Sequence, residues 1–264
     1  MRPISRKFDS LAQAGEKALV TFVTAGDPSL DQLPAILDTL CEAGSDIIEL
    51  GIPFSDPIAD GPTIQASSQR ALDRGVRPMA VLEALSRWQN PGAPIVLMGY
   101  YNPVLHAGIE RFAQAIRDAG ASGTIISDLT PEESDAWIAT SEACELDHIY
   151  LAAPTSTEAR LAMVAKCSSG FLYAVSRTGV TGVGSKFSDQ VGDLVLRCKA
   201  HTNIPICVGF GISKPEHVHA VCEQADGAVV GSSLVDLLAS EWDSGRGAST
   251  IREFVRGLKA GTRP

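Results

Sequence analysis

Short runs of apolar, mostly β-branched residues recur along the chain, each followed by turn residues and then by apolar positions at helical spacing. There are eight such runs: Ala18 to Thr24, Asp46 to Glu49, Ile95 to Met98, Gly123 to Ser127, His148 to Leu151, Phe171 to Val175, Pro205 to Val208 and Gly227 to Val230. Most are near-continuous rather than alternating, the pattern of parallel strands covered on both faces. The segments between them open with helix-start chemistry. Asp27-Pro28, Thr130-Pro131-Glu132-Glu133, Thr155 with Glu158, and Ser213 with Glu216 all read as N-caps. Strand, loop and capped helix, repeated eight times, predict an α/β fold of the (β/α)8 TIM-barrel kind; the runner-up is an open doubly wound sheet. An extra amphipathic helix is predicted near Ile4 to Ala14, a short helix after the eighth strand, and a last helix over Ile251 to Lys259. No linker or composition shift divides the chain, so residues 1–264 are expected to form one barrel domain.

One interval is longer than the rest. Between Glu49 and Ile95 there is room for a loop from Pro53 to Asp60 and two helices, Thr63 to Arg74 and Pro78 to Trp88. An insertion at the carboxyl end of a barrel strand lies on the face where such folds carry function. The stretch itself, IIELGIPFSDPIADGPTIQ from Ile47 to Gln65, is dense in chemistry. Glu49 ends an apolar strand, where its neighbours would raise its pKa and suit it to proton transfer near neutrality. The bland alternative is an ion-paired structural glutamate. Asp56 and Asp60 follow on the loop, and for either one alone a turn-capping role competes with catalysis.

Composition narrows the function classes. The formal charge of −9 comes with no basic run and no interleaving of Lys/Arg with aromatics, which argues against nucleic acid. The first residues lack the apolar core of a signal peptide, and nowhere do eighteen apolar residues run together, so a soluble cytoplasmic protein without a membrane partner is expected. Six cysteines stand without a C-x-x-C pair and read as reduced thiols. His217 and His219 form the one close histidine pair, but an i, i+2 spacing on a helix points the rings apart, so no metal site is expected.

Two glycine loops point to phosphate. Gly209-Phe210-Gly211-Ile212-Ser213 follows the seventh run, and Gly231-Ser232-Ser233 follows the eighth and opens the short helix containing LVDLL. Barrels commonly hold a phosphate at these two places, with backbone N–H groups that glycine leaves accessible. Each loop alone is only a tight turn. The segment Ser176 to Ser185 after the sixth run is glycine-rich too and reads as a mobile lid or as a long disordered connection, while Gly179 to Lys186 has the residues of a P-loop in the wrong order, Ser before Lys. Neither G-x-S-x-G nor H-E-x-x-H occurs, and GFGISK lacks the third glycine of a dinucleotide fingerprint.

Taken together, these residues resemble the α subunit of tryptophan synthase over nearly the whole chain. The similarity lies in FVTAGDP (Phe22 to Pro28), ELGIPFSDPIADGPTIQ (Glu49 to Gln65), MGYYNP (Met98 to Pro103), APTST (Ala153 to Thr157), YAVSRTGVTG (Tyr173 to Gly182), GFGIS (Gly209 to Ser213) and GSSLV (Gly231 to Val235). The resemblance implies a lyase of L-tryptophan biosynthesis that cleaves indole-3-glycerol phosphate to indole and glyceraldehyde 3-phosphate. It implies no cofactor in this chain, pyridoxal phosphate in a partner β subunit, and an α2β2 heterotetramer.

By the family's pattern Glu49 is the general acid/base, Asp60 serves the ring N–H, and Tyr173 helps to position the substrate. Phe22, Met98, Tyr100, Ile125 and Phe210 would line the indole slot, although each is equally suited to filling a barrel. Gly182, Gly211, Gly231 and Ser232 would hold the phosphate. Thr181 on the lid would hydrogen-bond Asp60 on closure, Arg177 is the lid's fixed charge, and Asp56 would face the partner. The chain departs from the pattern at Ser127 and Thr130, where prolines are frequent, and at Ser233, where alanine is usual. Two rival functions remain. Another phosphate-binding barrel enzyme, such as a synthase of the same pathway, would be expected to carry a strand lysine, and none of the eight runs has one. A binding subunit that has lost the chemistry would have no need of Glu49, Asp60 and Tyr173.

Overall fold

The computed structural model describes residues 1–88, 92–175, 185–209 and 211–263, with side chains throughout except at 185–190. Among the described residues the strands are β1 (Ala18–Thr24), β2 (Ile47–Gly51), β3 (Ile95–Gly99), β4 (Gly123–Ile126), β5 (Asp147–His148), β6 (Leu151–Ala152), β7 (Leu172–Val175), β8 (Ile206–Gly209) and β9 (Gly227–Val230). All pair in parallel, in the order β5-β4-β3-β2-β1-β9-β8-β7-β6. The two ends of that order, β5 and β6, are separated in the chain only by Ile149 and Tyr150. The Ile149 N–H donates to the Thr124 carbonyl at 2.9 Å, and the Tyr150 carbonyl accepts from the Tyr173 N–H at 3.1 Å. One extended stretch thus bridges β4 to β7 and closes a TIM barrel. The predicted fifth run is split because the stagger of a tilted barrel sets its first half against β4 and its second against β7.

Register decides which side chains face the barrel axis. Phe22 lies beside Glu49, Glu49 beside Val96, Met98 beside Ile125, Leu151 beside Tyr173, Tyr173 beside Cys207, and Gly209 beside Val229. Side chains alternate along a strand, so this set shares one face. It is the inner one: Val20, Ile47, Val96, Ile125, Ile149, Phe171, Cys207 and Val229 form a buried cluster that Met98, Leu151 and Tyr173 pack against. The N-terminal helix Pro3–Gln13 adds Ile4, Phe8 and Leu11, one helical face, to the same cluster. It closes the N-terminal mouth, where Arg2 donates to the Asp147 carboxylate and the Leu146 carbonyl, both at 3.0 Å. A second, larger apolar layer lies between the strands and the surrounding helices.

The insertion after β2 carries helices Pro62–Asp73 and Pro78–Ser86, each with proline in its first turn. The helix after β9, Ser232–Glu241, and the last helix, Gly247–Ala260, are longer than the predicted ones. The predicted N-caps fare worse. Thr157, not Thr155, caps the helix Glu158–Cys167, accepting from the Arg160 N–H. Lys214, not Ser213, precedes the helix Pro215–Cys222, and Thr130 makes no capping bond to Pro131–Glu133. Asp27 is not a cap, because its carboxylate is occupied by Arg70 at 2.7 Å and Arg74 at 3.5 Å. A strong cation outcompetes a backbone N–H for a carboxylate.

Candidate active site

Glu49 sits on the inner face of β2 toward its C-terminal end. It is 1% exposed, and neither carboxyl oxygen has a hydrogen-bond partner among the described residues. The ion-paired alternative therefore does not describe it. Burial alone pushes its pKa up to about 8, which leaves the group a neutral acid at pH 7.

Tyr173 faces the same interior from β7. Its hydroxyl lies over Gly209, where a Cβ would come within 2.5 Å of the oxygen, so this close approach requires glycine. Burial raises the Tyr173 pKa well above the ordinary phenol value, and the charges of Glu49, Cys207 and Asp60 add to the effect. One hydroxyl that feels both carboxyls brings the three predicted catalytic groups into one neighbourhood. Phe22 closes the other side of Glu49, its ring lying against Gly51, where a Cβ would be 2.5 Å away.

Asp60 belongs to loop 52–61 and has a partner that sequence reasoning did not assign. The Tyr100 hydroxyl donates to Asp60 Oδ2 at 2.9 Å and accepts from the Ala59 N–H at 3.1 Å. Tyr100 is stacked on Phe54, ring centroids 4.8 Å apart. It therefore fastens the loop to the end of β3, a role distinct from that of a simple apolar wall. A hydroxyl two positions beyond inward-facing Met98 was the available signal. Burial raises the Asp60 pKa, and the Tyr100 hydrogen bond opposes this by favouring the charged form. The loop's far end is held as well: Thr24 Oγ1 meets Ser67 Oγ at 2.6 Å, and Arg70 clamps Asp27 with two bonds. Asp56 is exposed and accepts from its neighbour Ser55 at 2.6 Å, while Ile58 is 79% exposed.

Among the other predicted site residues, Met98 is half-buried and Ile125 is fully buried in the inner cluster. Gly211 and Ser232 are exposed and Gly231 half-buried, at the ends of β8 and β9. Gly231 caps the helix Ser232–Glu241 without a side-chain cap, so its first N–H groups have no intrahelical acceptor. Arg177, Thr181, Gly182 and Phe210 lie outside the described residues. All six cysteines are free. Among the described residues no cluster of His, Cys, Asp and Glu could hold a metal, and no helix is long and apolar enough to cross a membrane. His217 is buried and accepts from the Ser213 N–H, while His219 faces outward near Glu223.

A TIM barrel with a buried carboxylic acid that has no partner among the described residues, a second carboxyl on the loop after β2 and a tyrosine facing the same interior has the groups that general acid–base chemistry requires. Comparison with known proteins narrows this class. The family model for the tryptophan synthase alpha chain matches residues 8–263. The tryptophan synthase alpha chain of Desulfatibacillum aliphaticivorans is 47% identical, over the full length of both chains. Among solved structures, tryptophan synthase subunit alpha from Legionella pneumophila has a TM-score of 0.91 at 32% identity, covering 99% of this chain and 98% of that one. A chain of Mycobacterium tuberculosis tryptophan synthase has a TM-score of 0.90 at 38% identity, covering 100% and 99%. This chain belongs to the tryptophan synthase alpha chain family, and with it to the lyases of tryptophan biosynthesis.

Proposed function

We propose that the family's reaction, cleavage of indole-3-glycerol phosphate to indole and glyceraldehyde 3-phosphate, runs here on Glu49, Asp60 and Tyr173. The observation that carries the reading is the burial of Glu49 without a partner. Indole leaves poorly as a carbanion, so ring carbon C3 must first be protonated, and a carboxyl held neutral at pH 7 can supply that proton. Positive charge then develops at the ring nitrogen, where the Asp60 carboxylate stabilises it. Glu49, now ionised, takes the proton of the glycerol hydroxyl as the aldehyde forms, and the C–C bonding pair returns to the ring. The acid is regenerated and the proton count closes. Tyr173 positions the substrate between the two carboxyls.

Phe22, Met98, Tyr100, Ile125 and Phe210 are read as the apolar slot, and Gly182, Gly211, Gly231 and Ser232 as the phosphate cradle. Thr181 is the partner that Asp60 would take when the lid closes. The whole chain is read as one barrel domain of a cytoplasmic α2β2 assembly. Its β partner would hold the pyridoxal phosphate and contact loop 52–61, where exposed Asp56 and Ile58 support the reading. The test is indole release from indole-3-glycerol phosphate by the wild type and Glu49→Gln, each with and without a β subunit. Wild-type turnover that the β subunit stimulates and the variant lacks is expected; no indole under any condition overturns the proposal.

A further inference from the structure

We propose that Ser233 is a positioning residue of the phosphate site, holding the glycine loop after β8 in register with the helix that follows β9. The inference rests on the reading of those two segments as the phosphate cradle. The backbone ladder between β8 and β9 ends where Gly209 pairs with Val229. Beyond that point the two segments diverge into a loop and a helix. Among the described residues one hydrogen bond joins them, Ser233 Oγ donating to the Ile212 carbonyl at 3.0 Å.

Loop 211–214 is pinned on its other side, since the Ser213 N–H donates to His217 Nδ1 at 3.4 Å. Buried Ile212, 2% exposed, is the fixed point between exposed Gly211, with its φ of 64°, and that anchor. A phosphate shared by the loop and the helix N-terminus needs N–H groups converging from both, and small displacements of one against the other weaken every contact at once. The Ser233 hydroxyl is committed to Ile212, so it acts through the loop and makes no claim on the ligand.

Steady-state cleavage of indole-3-glycerol phosphate, together with inhibition by glycerol 3-phosphate and by glycerol, tests the idea. Ser233→Ala is expected to raise KM and to weaken glycerol 3-phosphate inhibition about three- to ten-fold, the size of one neutral hydrogen bond. Its kcat should fall by less, and Ser233→Thr should restore the wild-type values. Should Ser233→Ala prove unstable, Ser233→Cys, similar in shape with a much weaker donor, gives the same reading. A wild type that prefers glycerol 3-phosphate over glycerol, beside a Ser233→Ala variant that keeps the full preference, overturns the role of Ser233 alone. A wild type with no preference overturns the phosphate-site reading and this inference with it.

Discussion

Glu49→Gln is expected to change how folding stability varies with pH. Glutamate's ordinary pKa of 4.5 describes the unfolded chain, and burial moves it to about 8 in the fold. Between those two values the native state keeps a proton that the unfolded state has released. Unfolding free energy therefore falls as pH rises, by about 1.4 kcal/mol per pH unit and by about 5 kcal/mol across the window. Below pH 4.5 both states are protonated and the effect vanishes; above about 8 the penalty is complete. Gln has a similar shape and does not titrate.

Urea unfolding of the wild type and Glu49→Gln at pH 5, 6, 7 and 8, followed by far-ultraviolet circular dichroism, measures the difference. The buried amide adds a pH-independent offset, so the slope is the observable. The variant should gain on the wild type by about 1.4 kcal/mol per unit through the middle of the range. A flat difference would refute the claim that burial keeps Glu49 neutral, and a slope of opposite sign would mean that a cation stabilises the carboxylate. The same acid implies that kcat/KM for cleavage declines above about pH 8, as the free enzyme loses its proton donor.

Tyr100→Phe removes the donor that Asp60 Oδ2 has among the described residues and should lower kcat/KM about 10- to 100-fold, in line with a hydrogen bond to a charged group, while leaving circular dichroism unchanged. Gly209→Ala forces a Cβ to within 2.5 Å of the Tyr173 hydroxyl, and steady-state turnover should fall at least about ten-fold through displacement of that ring. Arg70→Ala strips two hydrogen bonds from the buried Asp27 side chain and leaves Arg74 at 3.5 Å as its remaining cation. Urea unfolding should show a loss of about 2–3 kcal/mol, at the low end for breaking a buried pair because Arg74 stays.

The barrel is legible because its evidence is repeated: a run such as Gly227 to Val230 is apolar on both faces, and only a covered parallel strand asks for that. Glu49 is legible for a related reason, since a carboxylate ending an apolar run has few inexpensive places to go. What escaped the sequence depends on which of several neighbours wins a contact. Asp27 reads as a cap until helix Pro62–Asp73 folds back and brings Arg70 and Arg74 to it. Tyr100 reads as one more apolar wall until loop 52–61 places Asp60 within reach of its hydroxyl. Asp56 stays as the sequence left it, bonded to its neighbour and open to other uses. Local pattern carries the elements, whereas contacts across about 40 residues of chain are decided by packing.

The strand β2 shows why one end of this barrel can be left unsatisfied. The run Asp46-Ile47-Ile48-Glu49 has a carboxyl at each end, and nothing in it tells the two apart. In the fold Asp46 accepts from the Leu19 N–H at 2.8 Å and from Lys259 at 2.7 Å, and Lys259 also pairs with Glu16 at 3.1 Å. Burial raises the pKa of Asp46 as well, but those donors pull against it. Glu49 has no such donors among the described residues, and the resulting cost of about 5 kcal/mol at high pH rivals the whole net stability of an ordinary domain. It is tolerable because the compensation sits at the other end of the same strands. There the N-terminal helix completes the inner core, Arg2 ties that helix to Asp147, and Lys259 ties the last helix to Asp46. Two like residues three positions apart thus become a clamp and an unsatisfied acid, and the difference lies in which mouth of the barrel each one faces.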